Sequence, residues 1–142
     1  MESVAGNETT MKLNVIEICP DFQEWPESWR ESAKDISYGR KIIEIFERFI
    51  LEMMKKGYAE KTVKRHIDNL WLLGGELIRE INMYDQDREK DPLTLIQENI
   101  GSDGGPYCRH IDSEYELNSF DATCRKLHKY LKSQGKGSIS GK

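Results

Sequence analysis

Two hydrophobic patterns of helical period meet at a single glycine, Gly57, and this arrangement constrains the fold more than any other feature of the chain. Apolar side chains recur at steps of three and four residues on both sides of it, which predicts amphipathic helices over about 37–56 and 60–82. The first pattern comprises Ile42, Ile43, Phe46, Phe49, Ile50, Met53 and Met54, and the second comprises Val63, Ile67, Leu70, Trp71, Gly74, Leu77, Ile78 and Ile81. Gly57 is expected to end the first helix in the left-handed conformation, which strains a residue with a Cβ.

Two further helices are predicted from their capping residues. Asp91 followed by Pro92 is a favourable helix start, because Asp accepts hydrogen bonds from free amides and Pro suits the first helical position. Ser113 with Glu116 three residues later fits a capping box. Together with the apolar spacing that follows each start, these signals predict helices over about 92–100 and 114–132.

The fold class that follows is all-α, a small four-helix bundle-like domain with an extended N-terminal arm. The boundaries are an arm over 1–36 that is partly flexible, a helical domain over 37–132 and a flexible tail over 133–142. The tail is rich in Gly and Ser, and the first eleven residues are small and polar, so both ends are expected to be loose.

The arm carries two features of its own. The alternation from Lys12 to Ile18 predicts a short strand or an extended segment, because successive side chains of a strand point to opposite faces. Trp25 and Trp29 follow, and each has a large apolar surface that favours packing against the helical body. The alternative is that the two tryptophans form an exposed aromatic docking surface.

Gly74 and Gly75 interrupt the second helical pattern. Each glycine in a helix interior costs roughly 1 kcal/mol relative to alanine, so a compensating contact is expected there. The close approach of another helix is one explanation, and a kink at the glycine pair is the other.

Charge is distributed unevenly along this acidic chain, whose net charge is −4. Eight acids oppose three bases over 1–35, and the same numbers recur over 76–103. The segment 36–75 has eight bases and five acids, and 125–142 has six bases and no acid. A basic face can therefore exist on an acidic protein, although both basic stretches can also be explained as solvated helix faces and a tail.

The three cysteines, Cys19, Cys108 and Cys124, are odd in number and irregularly spaced, which favours free thiols over a disulfide framework. No window approaches the roughly 18 apolar residues of a membrane span, and no basic segment precedes an apolar run at the N-terminus. These features predict a cytoplasmic protein without a membrane partner.

The two helical patterns around Gly57 resemble the SAM-like core-binding domain of tyrosine recombinases and phage integrases. The resemblance covers about residues 37–81. Its residues are a first helix with spaced aromatics, a Gly-aromatic turn and a Lys-Thr-Val helix start: Phe46, Phe49, Gly57, Tyr58, Lys61, Thr62 and Val63. The chain departs from the family at Ala59, where a capping Ser is common, so the second helix needs a cap of another kind.

The resemblance implies that the start of the second helix faces the backbone of double-stranded DNA. The residues support this physically, because clustered cations beside a helix N-terminus can contact several phosphates. The candidate DNA-binding residues are Lys55, Lys56, Lys61, Thr62, Lys64 and Arg65. His66, which follows them, is expected to be exposed or at a boundary, where it could also contact a phosphate.

The catalytic half of a recombinase is not expected in this chain. Recombinases of this family need paired arginines, a His-x-x-Arg box and a tyrosine nucleophile in a second, larger domain. The Cys108-Arg109-His110 segment and Tyr130 do not reproduce that order or spacing. The prediction is therefore a protein that is not an enzyme, with no catalytic residues.

Cys108, His110, Cys124 and His128 are the candidate ligands for a metal site, since zinc favours thiolate and imidazole ligands. Cys124, however, falls in the apolar stripe of the last helix, where a free Cys behaves as a small hydrophobe. We therefore predict no metal ligands and no cofactor.

Two functions remain open from the sequence. The first is a helical module that binds DNA as an accessory to recombination or to a mobile element. The second is a helical protein-interaction module that uses the tryptophan arm or an exposed part of the last helix.

Overall fold

The structure is a computed structural model that describes the backbone of residues 14–140 and the side chains of residues 14–134. Over this range the chain forms six α-helices: α1 (Val15–Ile18), α2 (Trp25–Trp29), α3 (Asp35–Lys55), α4 (Glu60–Met83), α5 (Pro92–Asn99) and α6 (Glu114–Ser140). There are two 3-10 turns: Phe22–Glu24 precedes α2, and Asp85–Glu89 follows α4. The described residues form no strand, so the all-α prediction is confirmed, and the four predicted helices correspond to α3, α4, α5 and α6.

The central element is α4, which packs against α2, α3 and α6 around one hydrophobic core. Its buried face follows the predicted stripe, except that Trp71 is 39% exposed and Leu73 takes the inward position. The Trp71 indole lies across α2 and donates to Ser28 Oγ over 3.1 Å. None of the described helices combines the length and the apolar character that a bilayer span requires.

The tryptophans of α2 belong to the core. Trp25 and Trp29 are 3% and 7% exposed, and their rings pack with centroids 5.6 Å apart. Core packing is thus confirmed for both residues, and neither contributes to an exposed docking surface. Their burial also joins residues 14–36 to the same core as the long helices.

Trp29 explains the first glycine of the pair in α4. A Cβ at Gly74 would overlap the six-membered ring of Trp29, whereas a Cβ at Gly75 would lie 3.5 Å from the ring. The indole Nε1–H of Trp29 donates to the carbonyl of Trp71 over 3.0 Å, which holds the ring against the helix. The expected close approach is therefore confirmed, and the approaching element is the short helix α2.

A buried carboxylate, Asp35, joins the start of α3 to the end of α4. It accepts from the amides of Glu31 and Ser32 over 2.7 Å and 3.0 Å, from Asn82 Nδ2 over 3.0 Å and from Arg88 Nη1 over 2.9 Å. Burial acts to raise the Asp35 pKa, but these hydrogen bonds outweigh it and lower the pKa below its ordinary value of 3.8. The stability that Asp35 contributes is therefore present above pH 3.8 and is lost as the pH falls through its lower folded pKa.

The predicted Asp91 cap of α5 and the Ser113 half of the capping box of α6 are confirmed. Asp91 accepts from the Leu93 amide over 3.1 Å, and Ser113 accepts from the Glu116 amide over 3.1 Å. The predicted end of α6 near residue 132 is wrong, because the backbone stays helical to Ser140. Glycine inside a helix costs only about 1 kcal/mol, so the glycines of this segment do not by themselves end it.

The strand or extended segment expected over residues 12–18 is also wrong where the structure describes it. Val15–Ile18 forms one helical turn, capped by Asn14, whose Oδ1 accepts from the Ile16 amide over 2.9 Å. The cap and the burial of Val15 override a short alternating pattern. Residues 1–13, which include the expected loose N-terminus, and residues 141 and 142 lie outside the described residues.

One methyl group is expected to have opposite effects at the two adjacent glycines. Gly74→Ala should lower the free energy of unfolding by roughly 1–3 kcal/mol, because the hydrogen-bonded Trp29 ring cannot move aside. Gly75→Ala should be neutral or raise that free energy by up to about 1 kcal/mol, since alanine favours the helix and its methyl group meets Trp29 at ordinary contact distance. Urea denaturation of both variants measures the difference, and equal effects would contradict the close approach of Trp29.

Asp35→Ala is expected to lower the free energy of unfolding by roughly 3–5 kcal/mol, because Arg88 and two amides lose their buried partner. The matched control is Arg30→Ala, which breaks an exposed 3.1 Å pair with Glu27 and should cost less than about 1 kcal/mol. Chemical denaturation at pH 7 compares the two. A loss for Asp35→Ala no larger than that of the control would show that the network does not stabilise the fold.

Candidate nucleic-acid interface

The corner between α3 and α4, residues 55–65, begins with a Schellman motif at Gly57, whose φ is 86°. The Gly57 amide donates to the carbonyl of Met54 over 3.1 Å, and the Tyr58 amide donates to the carbonyl of Met53 over 3.2 Å. These bonds satisfy carbonyl groups that the end of α3 would otherwise leave free. Because the φ of Gly57 is unfavourable for any residue with a Cβ, the predicted role of this glycine is confirmed.

The N-terminus of α4 has no side-chain cap. Ala59 occupies the cap position in an extended conformation, and no capping hydrogen bond is made to the helix start. The first bond of the helix runs from the Val63 amide to the Ala59 carbonyl over 3.0 Å. The amides of Glu60, Lys61 and Thr62 therefore precede the first intrahelical bond. Free amides of this kind attract anions, and the helix dipole acts in the same direction.

All five predicted cations of the corner are exposed: Lys55, Lys56, Lys61, Lys64 and Arg65. Two of them have a carboxylate nearby. Lys56 pairs with Glu52 over 3.3 Å. Lys64 is close enough to Asp68 that its charge lowers the Asp68 pKa, although burial has the larger, opposite effect and the pKa is raised overall. Among the described residues, the other three cations form no ion pair. Most of the positive charge predicted for the corner thus faces solvent, and Thr62 lies half-buried among it.

Helix α6 adds cations that the sequence pattern did not connect with the corner. Lys126 Nζ donates to the Tyr58 hydroxyl over 2.8 Å and lies 5.0 Å from the centre of the Tyr58 ring. This hydrogen bond is the main cause of a lowered Tyr58 pKa, to which the charges of Lys56 and Lys129 also contribute. The only sequence signal was the run of six bases over 125–142, which carries no information about where α6 packs.

A buried polar cluster holds α6 against α4. His66 Nδ1 lies 2.7 Å from Thr123 Oγ1, and Asn69 Nδ2 donates to Thr123 Oγ1 over 2.8 Å and to the Ser119 carbonyl over 3.1 Å. The contacting pairs run in opposite directions along the chain: Asn69 meets Ser119, and His66 meets Thr123. Helices α4 and α6 are therefore antiparallel. This direction brings the basic C-terminal half of α6 to the start of α4, where Lys126 meets Tyr58.

His66 is 3% exposed, so the expectation of an exposed or boundary residue in contact with phosphate is wrong. The residue continues the basic run in sequence, but its position on the helix turns it towards α6. Burial, reinforced by the charges of Arg65 and Lys126, lowers its pKa to about 4. The imidazole is therefore neutral at pH 7 and serves as a hydrogen-bonding partner within the core.

The candidate metal ligands lie in different environments. Cys124 is fully buried and Cys108 is 3% exposed, whereas His110 is exposed beside Trp71. All three thiols of the chain are free. Across residues 14–134, no group of three or more His, Cys, Asp or Glu side chains is placed to hold a metal ion.

Large apolar side chains are exposed away from the tryptophan arm. Tyr107 and Tyr115 are 79% and 78% exposed, and Leu117 is 42% exposed. Tyr115 and Leu117 belong to the first turn of α6, and Tyr107 lies in the loop before it. An exposed part of the last helix, one of the two surfaces considered for a protein partner, is therefore present.

The chain has no significant match among protein-family models, curated proteins or solved structures.

Acidification from pH 6.5 to about 4 is expected to destabilise the fold through His66. The unfolded imidazole binds a proton near its ordinary pKa of 6.5, whereas the folded one does so only near 4, so folding releases a proton in this interval. The free energy of unfolding should fall by at most about 3 kcal/mol. His66→Gln removes the contribution of the imidazole and leaves the carboxyl groups in place. Urea denaturation of both proteins at pH 7 and pH 4.5 therefore separates the effect of His66 from that of the carboxyl groups. An identical pH dependence for the two proteins would contradict the buried, neutral imidazole.

Proposed function

We propose that this protein is a non-enzymatic helical module that binds the backbone of double-stranded DNA through the α3–α4 corner. The observation that carries the proposal is the convergence of an uncapped helix N-terminus with exposed cations from three helices. The residues assigned to the interface are the predicted Lys55, Lys56, Lys61, Thr62, Lys64 and Arg65, to which we add Lys126 and Lys129 of α6.

The chemistry of the corner suits phosphate groups. The free amides at the start of α4 can donate to one phosphate, and Lys61 and Arg65, one helical turn apart, extend from the same region. Each phosphate that a cation neutralises releases counterions, which gives binding that depends steeply on salt. Contacts of this kind position a protein on DNA without reading its sequence. We therefore assign no base preference to the corner.

The acidic segments of the chain do not oppose this proposal. Several of their carboxylates are engaged elsewhere: Asp35 with Arg88 over 2.9 Å, Asp87 with Lys90 over 2.9 Å, and Glu76 with Arg79 over 3.6 Å. Surface charges separated by more than about 8–10 Å are largely screened at physiological salt. A local positive surface can thus attract DNA although the net charge of the chain is −4.

The resemblance of residues 37–81 to the core-binding domain of tyrosine recombinases supports a role as an accessory in recombination or in a mobile element. In that role the chain would hold DNA while another protein performs the chemistry. No residue of this chain is assigned to strand cleavage.

A second candidate is a protein-interaction module, which the exposure of Tyr107, Tyr115 and Leu117 favours. Aromatic side chains are enriched at the centres of protein interfaces. The tryptophan arm no longer contributes to this alternative, since both of its tryptophans are buried.

The DNA proposal predicts a specific response to charge removal. The double variant Lys61→Ala, Arg65→Ala should weaken binding of a labelled 20-base-pair duplex roughly tenfold or more in 50 mM salt. It should also reduce the slope of log affinity against log salt by about 2, one for each lost phosphate contact. Fluorescence anisotropy at 50, 100 and 200 mM salt measures both quantities.

The matched control is the double variant Lys34→Ala, Lys41→Ala, which removes the same charge near the other end of α3. Lys41 precedes Lys55 by fourteen residues, or about 21 Å along the helix. The control should bind DNA like the unmodified protein. Equal weakening by both double variants would show that net charge, and not the corner, governs binding. No binding at 50 mM salt with micromolar protein would end the DNA proposal in favour of the protein partner.

A further inference from the structure

A cavity of about 250 Å³ opens between α3, the corner and α6, and three residues of the proposed DNA interface line it: Lys56, Lys126 and Lys129. Its apolar wall consists of the rings of Tyr58 and Tyr130 with Phe49 and Met53 beneath them. Tyr130 and Phe49 pack with ring centroids 5.6 Å apart. Both tyrosines are only half-buried, so part of each ring faces the cavity. The interface thus contains an aromatic recess. A surface that contacts only the phosphate backbone does not need such a recess.

Cations surround the rim of this recess. Lys56 stands on the α3 side, and Lys126 and Lys129 stand on the α6 side. Lys129 also lines a second cavity of about 510 Å³, whose other polar side chains include Arg125, His128 and Lys132. A strand that crosses the recess would therefore meet positive charge both before and after it.

The recess holds a carboxylate as well as cations, and this carboxylate has one oxygen paired with Lys56 over 3.3 Å. The carboxylate belongs to Glu52, and the negative charge of Glu52 contributes to a raised pKa of Tyr130, after burial as the main cause. A carboxylate repels a phosphate, whereas it accepts hydrogen bonds from the amino groups of nucleobases. Aromatic side chains offer surfaces on which bases stack, and lysines at the rim track the backbone. Rings, carboxylate and rim lysines together fit a base with phosphates on either side.

We propose that this recess, which we call the base pocket, accepts one unpaired nucleotide of the DNA that the corner holds. The inference rests on the proposed function and narrows its ligand from duplex DNA to DNA with an unpaired base. Tyr58 and Tyr130 contact the base. Glu52 accepts from the amino group of the base through Oε1, since its Oε2 is paired with Lys56. Lys129, together with Lys56, contacts the adjoining phosphates. Lys126 positions the Tyr58 ring through the hydrogen bond to its hydroxyl.

The test compares three labelled probes of equal length by fluorescence anisotropy at 100 mM salt. One is a fully paired duplex, the second carries a single bulged adenine, and the third carries an abasic residue at the bulge. The bulged probe should bind at least about fivefold more tightly than the paired duplex, since base stacking on aromatic side chains is worth that much or more. The abasic probe should bind like the paired duplex, because it has the flexibility of the bulge but no base.

Tyr130→Leu should abolish the preference for the bulged probe and leave binding of the paired duplex unchanged. Leucine keeps an apolar contact with Phe49 while removing the ring and hydroxyl, and a thermal melt checks that the variant is folded. The matched control is Tyr107→Leu, which removes a tyrosine that is 79% exposed and lies outside the base pocket. The control should keep the preference for the bulged probe.

The outcomes separate the two proposals. Equal binding of paired and bulged probes would overturn the base pocket and leave the DNA proposal standing. A preference that persists with the abasic probe, or in folded Tyr130→Leu, would also overturn the base pocket, because flexibility and not the base would then cause it. If Tyr130→Leu does not fold, the abasic probe with the unmodified protein decides. Failure of all three probes to bind would overturn both proposals together.

Discussion

The register between α4 and α6 depends on the buried hydrogen bonds that join His66 and Asn69 to Thr123. A slip of one residue would turn a helix by about 100° and leave these polar groups without partners, at a cost of roughly 1–3 kcal/mol for each group. Apolar side chains can repack after such a shift, whereas directional bonds cannot. The cluster therefore decides which side chains of α6 reach the corner, and it places Lys126 against Tyr58.

Charge in this protein is sorted by location. The buried carboxylates of Asp35, Glu76 and Asp87 are each paired with an arginine or a lysine. The cations at the corner are exposed, and Lys56 is the one of the five predicted cations that forms an ion pair among the described residues. Burial requires a charge to be paired, while exposed cations remain available to a ligand. A separated pattern of this kind allows an acidic chain to present a positive surface.

Local chemistry was sufficient to predict much of the helical frame and to nominate six of the eight residues proposed for the DNA interface. The end of α3 follows from a glycine that tolerates a positive φ, and the start of α5 follows from an Asp-Pro cap. Both signals act within a few residues. Predictions that depended on distant partners were less successful. In the sequence His66 continues a basic run, yet in the structure it is buried in a hydrogen bond with Thr123, 57 residues away. The strand or extended segment expected over 12–18 is wrong because a seven-residue alternating pattern is weaker than a cap and a buried contact.

The sequence by itself determined the helical class, the sharp turn at Gly57 and the cluster of exposed cations around it, because periodicity, backbone strain and charge density are properties of short segments. Only the tertiary structure decided that Trp29 fills the space left by Gly74, and that α6 adds Lys126 and the Tyr130 ring to the corner. The physical reason is that the antiparallel docking of α6 on α4 depends on side chains about fifty residues apart. Neither helix carries that information alone, so the recess between α3, the corner and α6 exists only in the folded chain.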